Sequence, residues 1–300
     1  MLPPISTNTK VLLALITTLF LWSSSLVGIR LGLESFDAGA LALLRYLTAS
    51  LFMLIFFLKY ATVSKRPSFR EMSLILLSGT IGFAVYNIML NSGELTVDPG
   101  TASFILSQIP VVMVVFATIF LRERVNFRGW IGIAISVFGV LLIAMGKSSG
   151  NWSGFSISTG VLYLLTATVC HASYSIINKP FLRQFTSIEF TTYAMWGGTV
   201  ALLIYTPQLI DQLPHASLVA ILATVYNGIF PAAIGYLTWS YVLHHLPASK
   251  VGTSLYALPI STTLLSWLIL GEIPTQMSFL GGVISLIGAV VVNRSFGRAN

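Results

Sequence analysis

The chain has 300 residues, of which 55% are hydrophobic and only 8% are charged, and its mean hydropathy is +0.87. This composition excludes a soluble domain with an ordinary core and predicts a membrane protein with several crossings. The net charge of +7 is spread over short links, so we predict no nucleic-acid partner, and the single Cys170 excludes a disulfide framework or a CxxC metal site.

Long apolar runs follow one another along the whole chain. A helix needs about 20 apolar residues to cross a bilayer, and these runs are apolar all round, unlike the alternating strands of a barrel. We therefore predict an all-α integral membrane protein, with the first run kept as a helix and not removed as a signal peptide. The ten predicted helices are 11–33, 38–58, 72–93, 100–121, 127–146, 157–178, 189–206, 218–243, 249–270 and 276–293.

The stretch 101–143 recurs without a gap at 250–292, at an offset of 149 residues. Such self-similarity makes the half-chain the repeat unit. Five helices in each half make the two halves enter the membrane from opposite sides, so we predict two inverted five-helix repeats, 1–147 and 157–300, joined by the linker 148–156. The recurring pairs include Pro110 and Pro259, Glu123 and Glu272, Gly132 and Gly281, Ser136 and Ser285, and Gly139 and Gly288.

The basic residues give the orientation. With cytoplasmic N- and C-termini, thirteen of them lie on the inner side and only Arg30 and Lys147 lie outside, as the positive-inside rule requires. We therefore predict a multi-pass protein of the cell (inner) membrane. The inner residues are Lys10, Lys59, Lys65, Arg66, Arg70, Arg122, Arg124, Arg128, Lys179, Arg183, Lys250, Arg294 and Arg298.

Ten helices in paired halves, each with a Pro-to-Glu-to-Gly pattern, resemble the EamA family of the drug/metabolite transporter superfamily. The resemblance implies a secondary transporter with a central cavity between inverted halves. Where such families commonly have glycine after the first-helix tryptophan, this chain has Ser23-Ser24-Ser25. The residues that carry the resemblance are Trp22, Arg45-Tyr46, the segments 110–123 and 259–272, and the glycine-rich fifth and tenth helices.

Pro110 and Pro259 lie in the middle of the predicted fourth and ninth helices. Each removes a backbone donor and frees the carbonyl four residues earlier, at Leu106 and Leu255. Irregular backbone at membrane depth lines a cavity or is covered by protein, so we predict hinges here. A static kink relieved by a neighbouring serine is the alternative.

Polar side chains form helical stripes that would be costly against lipid and so face the interior. In the sixth helix His171, Tyr174, Ser175 and Asn178 share one face. Aromatic side chains on the third, eighth and ninth helices are predicted to meet this stripe around one pocket, although packing or interfacial anchoring also explains each ring alone. The candidate substrate-binding residues are Trp22, Tyr86, Asn87, Ser107, Gln108, His171, Tyr174, Asn178, Tyr236, Trp239 and Tyr256.

His171 is the repeat equivalent of Trp22, which predicts that the two face each other across the pseudo-symmetry axis. Either a neighbouring serine or tyrosine satisfies the imidazole, or it binds substrate. His244 and His245 point about 100° apart near a helix end, so we predict no metal site there.

Three further features bear on energy coupling, on a buried charge and on helix packing. All nine acids, Glu94 included, are expected at loops or helix ends, which leaves His171, with an unperturbed pKa of about 6.5, as the expected proton carrier if transport is coupled. Arg45 is expected to pair with a carbonyl or to reach toward Glu34 or Asp37. The stripes Gly132-Ser136-Gly139 and Gly281-Ser285-Gly288 are expected to pack against each other or against a second protomer, which leaves a homodimer open.

The leading hypothesis is a secondary transporter that exports a small neutral or zwitterionic, amino-acid-like or amphipathic metabolite by alternating access around a central aromatic and polar cavity. An organic-cation or multidrug exporter is the alternative, because aromatic walls bind cations. A membrane-embedded receptor or enzyme is a different class. The sequence carries no nucleotide motif, no HExxH and no intramembrane aspartate pair, so we predict no enzyme activity and no cofactor, with a small molecule and membrane lipid as partners.

Overall fold

The computed structural model describes residues 7–61, 66–120, 125–146, 158–246, 251–252 and 254–296. Their regular structure is entirely helical, with no strand among them, so the all-α prediction is confirmed. The predicted linker 148–156 and Glu123 lie outside the described residues. The long helical segments are α1 (Thr7–Gly32), α2 (Ala38–Tyr60), α3 (Phe69–Glu94), α4 (Pro99–Leu106 and Ile109–Phe120), α5 (Phe127–Gly146), α6 (Thr159–Phe181), α7 (Ser187–Leu202), α8 (Leu218–His245), α9 (Leu255–Leu270) and α10 (Gln276–Phe296).

Within the described residues, seven helices are long and apolar enough to cross a membrane, and α9 and α10 supply shorter apolar runs. Large apolar side chains cover the outside of the molecule: Leu51 is 64% exposed, Phe138 56% and Ile260 74%. A belt of this kind is costly in water and favourable in lipid. The chain is therefore a multi-pass membrane protein.

The capping residues at the N-termini of the helices recur at equivalent positions in the two halves. Asp37 caps α2 by accepting the backbone N–H of Ala40, and its repeat equivalent Thr186 caps α7 in a capping box with Glu189. Ser68 and Ser217 are likewise equivalent and cap α3 and α8. Because caps fix where a helix begins, local sequence alone gives the two halves the same helix boundaries here.

The irregular turns repeat as well. π-Helical turns interrupt α3 at Thr80–Val85 and α8 at Gly228–Ile234. α4 breaks after Leu106, and α9 begins with a 3-10 turn at Leu255–Ala257, in each case just before the proline. The expected interruption at Pro110 and Pro259 is therefore present, although its role as a hinge stays a prediction.

Three pairs of residues that are 149 positions apart contact each other. The Trp22 and His171 rings lie 5.3 Å apart, Ser50 and Thr199 share a hydrogen bond of 2.7 Å, and Ser136 Oγ donates to the Ser285 carbonyl at 3.0 Å. A residue can touch its own repeat equivalent only near the axis that relates the halves. The predicted pairing of Trp22 with His171 across this axis is confirmed.

The small-residue stripes of α5 and α10 pack against each other, as predicted. Gly132 lies against the backbone of Gly288, whereas Gly139 lies against the backbone of Gly281 and Ser285. As one stripe ascends in number the other descends, so these equivalent helices run antiparallel. Antiparallel equivalents are the geometry of an inverted repeat.

Candidate substrate site

Six aromatic rings from α1, α3, α6 and α8 meet where the two halves join. Trp22 lies 5.1 Å from Tyr236 and 5.0 Å from Trp239, measured between ring centroids. His171 lies 5.3 Å from Trp22 and from Tyr86, and 6.3 Å from Tyr174. The predicted convergence of these rings is confirmed. We call them the ring cluster: Trp22, Tyr86, His171, Tyr174, Tyr236 and Trp239.

The π-helical turn of α8 holds Trp22, which forms the more exposed side of this cluster. Trp22 is its only half-buried member among the described residues, and the indole Nε1 of Trp22 donates to the carbonyl of Pro231 at 3.2 Å. A π-turn displaces backbone carbonyls from the regular helical ladder, and in lipid these groups need another donor. The indole therefore ties α1 to α8 at the edge of the cluster.

Several polar atoms in and beside the ring cluster have no hydrogen-bond partner among the described residues. They are both imidazole nitrogens of His171, the indole nitrogen of Trp239, and, on the same helix as His171, the Tyr174 and Ser175 hydroxyls and the Asn178 carbonyl oxygen. His171 is 1% exposed and Trp239 is fully buried. The expectation that a neighbouring serine or tyrosine satisfies the imidazole is wrong. Buried polar groups are normally paired, so this set is free to bind a polar ligand or water.

Phe83 and Tyr46 form a second layer that the sequence reasoning did not assign to the site. The Phe83 ring lies 4.9 Å from Tyr174, 4.7 Å from Tyr236 and 5.4 Å from Tyr46. Phe83 lies three residues before Tyr86, on the same side of α3. This helical spacing could have predicted that Phe83 lies next to the ring cluster.

Asn87 does not offer a free group to the ring cluster. Its side-chain oxygen accepts a hydrogen bond of 2.9 Å from Arg45 Nη1, and its nitrogen donates to the Tyr46 hydroxyl and the Phe83 carbonyl. Arg45 is buried at 3% exposure and pairs with the side-chain carbonyl of Asn87, so the alternative that it reaches toward Glu34 or Asp37 is wrong. Asn87 serves to hold Arg45.

Ser107 and Gln108 bond away from the ring cluster. The Gln108 amide nitrogen donates to the Ser285 hydroxyl, its oxygen accepts from the Ser136 hydroxyl, and Ser107 donates to the Phe104 carbonyl at 2.6 Å. The break in α4 points the amide between the two small-residue stripes. We call Gln108, Ser136 and Ser285 the amide lock, because they join α4, α5 and α10.

Tyr256 lies apart from the other predicted rings. Its hydroxyl donates to the Ala289 carbonyl at 3.0 Å, and its ring packs against a small hydrophobic cluster with Val111, Val114 and Val292. The prediction that Tyr256 shares one cavity with Trp22 and His171 is wrong, because the 3-10 turn at Leu255–Ala257 directs the side chain toward α10.

A cavity of about 480 Å³ lies beside α1, the start of α7 and the end of α8. Leu237, Thr238 and Tyr241 line it from the helix that also carries Trp239. His244 and His245 also line it, and their Nδ1 atoms bond to the carbonyls of Leu182 and Tyr241. The described residues hold no group of three or more metal-ligating side chains.

The fold and this site define a helical membrane protein with two antiparallel-related halves and a shared aromatic site. The model of the EamA-like transporter family matches residues 9–145 and again 158–294. The chain belongs to this family. Its members are transporters, not enzymes, and their environment is the membrane.

Individual proteins agree with this assignment. An uncharacterized transporter of Bacillus subtilis, YdfC, is 37% identical over 89% of this chain and 86% of its own length. A protein of Streptantibioticus cattleyicolor named as a probable terminal-alkyne amino-acid exporter is 33% identical over 95% of this chain and 94% of its own length. A solved crystal structure with 19% identity matches with a TM-score of 0.66 over 95% of this chain and 96% of that chain, which shows the fold alone.

Proposed function

We propose that the protein exports a small neutral or zwitterionic, amino-acid-like metabolite by alternating access, with the ring cluster as the substrate site. The observation that carries this proposal is His171, whose two unpartnered nitrogens lie among five aromatic rings at the junction of the halves. Rings supply an apolar wall, and a few convergent polar atoms fix orientation, as in most small-molecule sites.

The charges favour a substrate without a large net charge. No Lys, Arg, Asp or Glu belongs to the ring cluster, and the nearest described arginine, Arg45, is bonded to Asn87. A phosphorylated substrate would require several free basic groups. The Streptantibioticus relative, named as a probable terminal-alkyne amino-acid exporter, agrees with this substrate class.

For the membrane arrangement we propose ten crossings, two repeats divided at 148–156, and cytoplasmic termini in the cell (inner) membrane. The π-turns and the breaks before Pro110 and Pro259 would let the halves rock around the ring cluster. A cysteine at Ser148 should react with an impermeant thiol reagent from outside and one at Ser68 should not, in a Cys170→Ser background. The reverse pattern contradicts the orientation.

Counterflow tests the transport proposal. Proteoliposomes loaded with unlabelled L-propargylglycine, a small amino acid with a terminal alkyne, should accumulate the labelled compound transiently and saturably. L-Norvaline and L-leucine, loaded in the same way, test whether the alkyne matters. Protein-dependent counterflow of none of the three contradicts an amino-acid-like substrate.

An organic-cation exporter is the second candidate, favoured by the face of Trp22 and the surrounding rings, which can hold a cation. Tetraphenylphosphonium, added to the same vesicles, separates the two. Counterflow of this cation without amino-acid counterflow would favour the second candidate.

A further inference from the structure

The carboxyl group of Glu94, at the end of α3, is fully buried, and neither of its oxygens has a hydrogen-bond partner among the described residues. The sequence reasoning placed Glu94 correctly at a helix end and wrongly inferred that such a position keeps it from acting inside the protein. An ionised carboxylate in this setting would carry an uncompensated desolvation cost, whereas the protonated group costs much less.

A guanidinium lies beside Glu94 but is bonded to other oxygens. Arg30 Nη1 donates to the backbone carbonyl of Glu94 at 2.6 Å, and Arg30 Nε pairs with Glu272 Oε1 at 3.1 Å. The second oxygen of Glu272 has no partner among the described residues. Arg30 therefore joins α1 of the first half to the segment before α10 in the second half.

Two other charged groups lie near Glu94 and have hydrogen bonds of their own. From α2, Arg45 Nη1 donates to the Asn87 side-chain oxygen at 2.9 Å, while its buried Nε has no partner among the described residues. Before α4, Asp98 accepts hydrogen bonds from the backbone N–H and the hydroxyl of Thr101.

The remaining neighbours of this end of α3 carry no charge. From α6, Gly160 and Leu164 pack against Gly93. His171 of the same helix contacts Tyr86, two turns before Glu94 on α3. Arg30 already contacts the backbone carbonyl of Glu94 and can turn toward the carboxyl group by leaving the 31% exposed Glu272. Arg45 would instead have to leave the buried side-chain oxygen of Asn87.

We propose that Glu94 is the proton-binding site of the transporter, and that its deprotonation draws Arg30 from Glu272 to Glu94. In this step the carboxyl O–H bond breaks, its electron pair stays on the oxygen, and the proton passes to water on the open side. The Arg30–Glu272 ion pair is replaced by an Arg30–Glu94 pair, so one proton leaves per exchange.

This inference rests on the proposed transport function. It supplies an energy source for that function. Proton binding and release at Glu94 would make and break the Arg30–Glu272 ion pair, the only ion pair between the halves among the described residues. A proton gradient would thereby be coupled to alternating access.

Infrared spectroscopy tests the proton site without any substrate. Wild-type protein, E94Q and E34Q are reconstituted at neutral pH, and each variant spectrum is subtracted from the wild type. The E94Q difference should contain the carbonyl stretch of a protonated carboxylic acid, and the difference for E34Q, which removes an exposed acid, should lack that stretch. Carboxylate bands alone in the E94Q difference overturn the proposal. Glutamine has the shape of the protonated side chain, so we expect E94Q to fold.

Accumulation of labelled L-propargylglycine tests the coupling. A proton gradient should raise the accumulation in wild-type proteoliposomes, and E94Q should lose this increase. E34Q, which changes an exposed acid just after α1, should keep it. A gradient effect that survives in E94Q, or is absent in the wild type, overturns the proposal. Absence of counterflow in the wild type would contradict the proposed function instead, and the infrared result then decides the proton site alone.

Discussion

The ring cluster and the amide lock both lie on the axis that relates the two halves, yet their polar atoms are in opposite states. In the amide lock, Gln108 bonds to the hydroxyls of both Ser136 and Ser285. In the ring cluster, both nitrogens of His171 have no partner among the described residues. A position on the axis therefore does not identify a binding site. Unpaired buried polarity, which only a ligand or water can satisfy, distinguishes the site from the lock.

The largest expected effect lies beside the ring cluster, at the residue that holds Arg45. Asn87→Leu removes the amide oxygen that accepts from Arg45 and leaves a buried guanidinium without that partner. An unsatisfied buried neutral group costs about 1–3 kcal/mol, and a charged group costs more. We expect a large fall in the melting temperature of the purified protein in detergent. An unchanged melting temperature would mean that Arg45 finds other partners, and Asn87→Asp, which keeps an acceptor, is the matched control.

Gln108→Leu should destabilise the protein without changing substrate affinity directly. The substitution leaves the Ser136 and Ser285 hydroxyls without the amide, and unsatisfied buried groups cost about 1–3 kcal/mol. Melting temperature and the KM for counterflow are measured on the same preparation. A raised KM with an unchanged melting temperature would place Gln108 in the substrate site. The contrast between the ring cluster and the amide lock would then be wrong.

His171→Leu should have the opposite effects: it should weaken substrate binding and leave the stability of the protein nearly unchanged. The leucine removes two nitrogens that have no partner among the described residues, and such a replacement is close to neutral for stability. Losing one hydrogen bond to substrate should raise KM roughly tenfold, which corresponds to about 1.4 kcal/mol. A marked fall in melting temperature with unchanged KM would show that the histidine is structural.

Much of this arrangement could be predicted from the sequence because it depends on local or repeated signals. The offset of 149 residues predicted that Trp22 meets His171, and helical spacing placed Tyr174 with His171 on α6. The small-residue spacing predicted the contact between α5 and α10, since close approach of two backbones leaves little room for side chains.

The errors arose where side-chain direction depends on irregular backbone or on a distant partner. The break after Leu106 turns Gln108 toward α5 and α10, and the turn at Leu255–Ala257 takes Tyr256 out of the ring cluster. The burial of Glu94 depends on neighbouring helices, and helical periodicity within α3 carries no information about them.

The third pair on the axis gives the smallest expected effect and tests whether axis position matters by itself. Ser50 and Thr199 share a hydrogen bond, but the Thr199 hydroxyl also bonds to the carbonyls of Met195 and Tyr46. Ser50→Ala therefore leaves Thr199 satisfied, and we expect a loss of about 0.6 kcal/mol, the average for such bonds between membrane helices. KM should not change, because the pair contacts neither region. A loss as large as that of Gln108→Leu would show that contacts on the axis stabilise the protein whether or not their polar atoms have other partners. The presence or absence of hydrogen-bond partners would then no longer distinguish the amide lock from the ring cluster.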